Sequence, residues 1–156
     1  MALPETGPFL NAALLCEKVL QESDGTVSIV RMVDRVTVNV NLAVQGAPPV
    51  PVPLPPEQMP PVLVNNLTLF VSFKAGSATG RSTLKTRLIG PTGLQLLETQ
   101  LSVLFDGGED RGANLIMPLQ LQLPTEGLYW FHLLLEDHFL SRVPLRLVYN
   151  RQGLTI

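Results

Sequence analysis

Charge, cysteine and histidine are all scarce in this chain, and each scarcity removes a class of function. With Cys16 as the single cysteine, an intrachain disulfide is impossible. The residue sits in the apolar run Ala12–Cys16, where a buried, unreactive thiol is expected rather than a nucleophile. The two histidines, His132 and His138, are not at metal-ligand spacing, and no second His or Cys cluster supports them. Neither a GxSxG nor an HExxH pattern occurs. Gly76–Thr83 (GSATGRST) has glycines one residue too close for a phosphate loop, and Arg81 stands where lysine is required. Ser82-Thr83-Leu84-Lys85 spells SxxK, but in a strand those two side chains leave opposite faces.

Lys and Arg number 11 against 13 Asp and Glu, a net charge of −2, so no global field favours nucleic acid or an anionic membrane. No uncharged apolar stretch approaches the roughly 18 residues of a membrane helix. The N-terminal MALPETGPFL lacks the basic segment and apolar core of a signal peptide. A cytoplasmic setting is therefore the expectation, and the Asn66-Leu67-Thr68 glycosylation match reads as chance.

What the chain does have is leucine, valine and proline. Its 156 residues suit one domain. Residues 1–9 read as a flexible lead-in, 10–150 as one β-sandwich domain and 151–156 as a tail. Charged residues make up 15%, below the roughly 25% of an average domain. Leu and Val recur even on nominally outward faces. An apolar patch covered by a protein partner or a second copy, as in a homo-oligomer, is the expectation.

Strand signals recur at short intervals. Residues 10–21 (LNAALLCEKVLQ) contain good helix formers, yet Asp24-Gly25 follows, and Asp-Gly between apolar runs marks a hairpin. Both arms are read as strands, the second being the β-branched run Thr26–Val40. Residues 46–61 contain eight prolines and read as a polyproline-like excursion. Its PxxP spacings fit an SH3- or WW-type groove, but no Lys or Arg lies between Arg35 and Lys74, so a stiff crossover between sheets is favoured. In residues 63–73, Leu63, Leu67, Leu69, Val71 and Phe73 should face one way and Val64, Thr68, Phe70 and Ser72 the other. Residues 82–89 and 94–105 pair across Gly90-Pro91-Thr92-Gly93. Residues 113–123 alternate almost without fault, and Pro118 argues for an edge strand or a bulge. The sum is an all-β fold, an antiparallel two-sheet β-sandwich of immunoglobulin-like or C2-like type with seven to eight strands.

The clearest hairpin is Gly127–Tyr149. Matching the apolar faces of its arms places Leu133 opposite Val143, Phe131 opposite Leu145 and Tyr129 opposite Leu147, across a three-residue loop. Trp130 then lies opposite Arg146 and Leu134 opposite Arg142. The outer face gathers Trp130, His132, Arg142 and Arg146, side-chain types enriched at the energetic centres of interfaces. The function expected is a non-enzymatic protein-interaction or assembly module without a cofactor. The alternatives are a ligand- or calcium-binding domain or a hydrolase using the loops at one end. For calcium the weak candidates are Asp106, Glu109 and Asp110, with Arg111 competing for the carboxylates. For a sugar or other ligand on a sheet face they are Phe70, Trp130 and Phe139.

Three stretches resemble a family of small, uncharacterised bacterial β-sandwich proteins, a domain of unknown function. They are Ala13–Val19 with Ile29–Val36 after the Asp-Gly turn, Arg87–Gly93, and Gly127–Phe131 with Arg142–Leu145. The resemblance implies a β-sandwich and a strand at residues 12–21. It implies no activity, ligand or catalytic residue, and the proline-rich segment departs from it.

Overall fold

The computed structural model describes residues 6–39 and 61–150. The described chain is all-β. Its strands are β1 (Phe9–Gln21), β2 (Val27–Met32), β3 (Arg35–Asn39), β4 (Val62–Lys74), β5 (Thr79–Ile89), β6 (Gln95–Asp106), β7 (Gly112–Leu123), β8 (Gly127–Leu135) and β9 (His138–Asn150). They form a four-stranded sheet in the order β2-β1-β4-β7 and a five-stranded sheet in the order β3-β9-β8-β5-β6. The polyproline-like segment expected at 46–61 lies outside the described residues but for Pro61. Among the described residues no helix is long and apolar enough to cross a membrane.

The two sheets share one core, because period-two alternation aims one side chain in two from each strand at the same interior. Leu15, Leu69, Leu84, Phe105, Phe131, Leu145 and their neighbours are almost fully buried there. Phe73 and Phe105 meet edge to face across the two sheets, with ring centroids 6.0 Å apart. Residues 10–21 are strand, as the Asp-Gly turn requires. Asp24 accepts from the Thr26 backbone at 3.0 Å and the Thr26 hydroxyl at 2.6 Å, and Gly25 takes the left-handed conformation at φ 86°.

Four details differ from the sequence reading, each for a local reason. Within the run 26–40 the described residues form two strands, which raises the count among the described residues to nine. At Val33-Asp34 the chain crosses between sheets, Val33 N–H donating to the Leu15 carbonyl and the Asp34 carbonyl accepting from Arg146 N–H. The emerging β3 runs parallel to β9, so the pairing is not wholly antiparallel. In β4 a bulge between Val64 and Leu67 reverses the alternation, so Val64 is buried and Leu63 is 75% exposed. On the other face of β4, Phe70 lies between Leu14 and Ile116 and is itself buried.

The fourth difference sets the site. The β8–β9 hairpin turns on Glu136 and Asp137, both left-handed at φ 48° and 64°, the geometry of a two-residue primed turn. Phe131 therefore pairs with Val143, Tyr129 with Leu145, and Trp130 with Pro144, a register two residues from the one expected. The faces are unchanged, because a shift of two preserves them. Leu140 is the extra residue of a bulge; it turns toward the core and leaves Phe139 on the outside, 50% exposed. Pro118 sits in β7, which is the edge of its sheet.

Candidate functional site

Strands β8, β9 and β5 are the centre of the five-stranded sheet, and their outward residues make a continuous face. Trp130 and His132 come from β8, Arg142 and Arg146 from β9, and Lys85 and Arg87 from β5. Arg35, on β3, joins them beside Arg146, and Arg81 extends the row along β5. This one face thus carries Arg35, Arg81, Lys85, Arg87, Arg142 and Arg146, six of the chain's 11 cationic side chains, although the whole chain is net acidic.

At its middle, the Arg142 guanidinium lies over the Trp130 ring, 4.1 Å from the centroid. The expected Trp130–Arg146 pair is replaced by this diagonal one, because in the observed register Arg146 lies opposite Leu128 and Arg142 opposite His132. His132 meets Phe139 edge to face at 5.7 Å, and Arg87 sits on its other side in the β5 register. Burial chiefly, and then the charges of Arg142 and Arg87, hold the His132 imidazole below the usual histidine range. It is therefore a neutral ring inside a cationic cluster.

Two cations of the face are paired. Arg87 holds Glu98 at 2.8 Å, and Lys85 holds Asp137 at 2.9 Å, which with the nearby charges lowers the Asp137 carboxyl below its ordinary value. Glu136 accepts from the Thr83 backbone at 2.6 Å. Arg35, Arg142 and Arg146 are exposed and have no ion pair within the described residues. Sequence reasoning found Trp130, His132, Arg142 and Arg146. It missed Arg35 and Arg87, which arrive through pairing of distant strands, and it offered Phe139 only as an aromatic for a ligand on a sheet face, whereas a bulge sets it against His132.

The remaining candidates lie elsewhere. Asp106 closes β6, and Glu109 and Asp110 follow in the β6–β7 connection, with Arg111 3.6 Å from Asp106. Among the described residues no three His, Cys, Asp or Glu side chains come together as a metal site. Cys16 is buried, and desolvation raises its thiol above the usual range despite a hydrogen bond from Lys18. Between the edges β6 and β7 lies an apolar cleft of about 300 Å3, with Leu69 and Phe131 at its floor.

Residues 55–148 match the model of a family described as "Family of unknown function (DUF6941)". No curated protein is similar enough to match the chain. Among solved structures, the alkylpurine DNA glycosylase AlkC of Pseudomonas fluorescens, bound to DNA containing an abasic site analog, aligns over 52% of this chain and 25% of its own. The two are 13% identical with a TM-score of 0.36.

Proposed function

The chain belongs to the DUF6941 family, a family of unknown function, and we propose from its geometry that it is a protein-binding module whose outer five-stranded face receives an acidic segment of a partner. The observation that carries this reading is the Arg142–Trp130 stack at 4.1 Å, set among cations that an otherwise acidic chain concentrates on one side. Such a face steers an anionic partner and gives it an aromatic anchor. Half-buried Leu134 and exposed Phe139 add apolar area beside the charges. That mixture suits a peptide with acidic and apolar side chains better than a uniform polyanion, as does the net charge of −2.

The role is binding rather than catalysis, since the carboxylates Glu98 and Asp137 are tied to Arg87 and Lys85. We read the fold as immunoglobulin-like. Tyr129 supports that reading: at the β7–β8 corner its hydroxyl donates to the Thr125 carbonyl four residues upstream, as in a tyrosine corner.

The test is binding of a fluorescein-labelled oligoglutamate peptide, followed by anisotropy at low salt. The double variant Arg142→Glu, Arg146→Glu should bind at least tenfold more weakly, while Lys18→Glu, Lys74→Glu, away from the face, should bind like the natural chain. Equal binding by all three would overturn the proposal. Tighter binding of a short DNA duplex than of the peptide would replace the acidic protein segment with nucleic acid.

A further inference from the structure

The described fold has four sheet edges, and three of them are guarded. β2 and β3 span six and five residues, and β3 opens on Arg35. β7 carries Pro118, whose nitrogen cannot donate to a ladder. β6 has 12 residues and neither proline nor a Lys or Arg. Its one irregularity lies between Leu97 and Gln95, so Leu97–Asp106 pairs regularly with β5 on one side and with nothing in the described chain on the other. Leu97 is 40% exposed and Leu101 38%, both above the apolar cleft. A long, regular, leucine-bearing edge is what folded proteins ordinarily suppress, because its unpaired backbone templates another strand.

We propose that β6 pairs with β6 of a second copy, antiparallel, about a twofold axis through Leu101, joining the two five-stranded sheets into one. The strand is complementary to itself in this register. Leu101 meets Leu101 of the other copy, Leu97 meets Phe105, Thr99 meets Val103, and Gln100 meets Ser102 on the outer side. Each copy's exposed half, Leu97–Leu101, thus lies beside the other's buried half, where Val103 and Phe105 are 1% and 2% exposed. Side-chain matching disfavours an axis at Gln100, which leaves Phe105 opposite Gln95, and charge disfavours the axes at Ser102 and Glu98. β6 carries Glu98 and Asp106. Moving the axis to Ser102 sets Glu98 directly opposite Asp106, and an axis at Glu98 sets it against itself; like charges directly opposite are destabilising. With the axis at Leu101, Glu98 faces Leu104 and keeps its bond to Arg87. Because the axis is perpendicular to the sheet, both basic faces emerge on the same side. The inference stands without the proposed function, whose test reads Arg142 and Arg146 rather than β6.

Light scattering after size exclusion should give a dimer mass that dissociates on dilution. Cysteine substitution then reads the register, with no competition from buried Cys16. Under mild oxidation Leu101→Cys should become a covalent dimer, since directly opposite Cβ atoms lie about 4.5–5.5 Å apart and small adjustments meet disulfide geometry. Leu97→Cys should not, because its own counterpart is eight residues along the strand, about 26 Å away. A monomer at every concentration, absence of the Leu101→Cys crosslink, or a preferred Leu97→Cys crosslink would each overturn the proposal.

Discussion

Removing one hydroxyl from each of two neighbouring tyrosines should have opposite consequences. Tyr129 is fully buried, and its hydroxyl donates to the Thr125 carbonyl at 2.5 Å and accepts from the Thr125 N–H at 3.1 Å. Those bonds hold the turn that carries the chain from β7 in one sheet to β8 in the other. Tyr129→Phe removes both and leaves two backbone groups of half-buried Thr125 to find water. A net hydrogen bond contributes about 1 kcal/mol, so the loss should be about 1–2 kcal/mol. For a domain of this size that is about 3–6 °C in Tm. Tyr149 is 6% exposed, and its hydroxyl has no partner within the described residues. Tyr149→Phe removes a buried group that is already unsatisfied, so its effect should be about zero or slightly stabilising. Urea unfolding followed by the fluorescence of Trp130, the sole tryptophan, measures both. The expected result is a lower midpoint for Tyr129→Phe at unchanged slope, and no loss for Tyr149→Phe. Equal losses, or a Tyr129→Phe midpoint matching the natural chain, would refute the hydrogen-bond reasoning.

Three further outcomes follow from the site and core. A double-mutant cycle of Trp130→Ala and Arg142→Ala should give a coupling of about 0.5–1 kcal/mol, measured by urea unfolding followed by far-UV circular dichroism, because Trp130→Ala removes the fluorophore. His132 has a depressed pKa, so below about pH 6.5 the unfolded chain gains a proton that the folded chain resists. Stability should therefore fall as pH drops through that range, and His132→Gln should flatten the fall in thermal melts across pH. Leu69→Ala, at a fully buried position beneath the cleft, should lose about 3–4 kcal/mol by denaturant unfolding, since neither sheet can collapse into the space.

The alternation of apolar and polar residues makes most strand faces legible in the sequence, because period two is a local property. Tyr129, Phe131 and Leu133 inside with Trp130 and His132 outside need nothing beyond Gly127–Leu135 itself. Asp24-Gly25 likewise announces its turn. Register is less legible. Glu136 and Asp137 adopt positive φ without the Gly or Asn that signals a two-residue turn, and Leu140 reads as an outward residue until a bulge turns it inward. The Val64–Leu67 bulge exchanges Leu63 and Val64 in the same way. The sheet switch at Val33-Asp34 depends on a bond from Arg146, more than a hundred residues away. For the site, the two strands of one hairpin can be assembled from sequence, whereas Arg87 and Arg35 need the β5–β8 and β3–β9 pairings. Those pairings are long-range and leave no local trace.

The most direct test of the binding face uses Trp130 as its own reporter, since it is the sole tryptophan and lies beneath Arg142. Titration with an unlabelled oligoglutamate peptide, under excitation selective for tryptophan, should give a saturable change in emission. Salt should suppress the change, oligolysine should not produce it, and Arg142→Gln should abolish it. Binding of the acidic peptide with no change at Trp130, or an undiminished change in Arg142→Gln, would contradict the assignment of the outer face as the binding site.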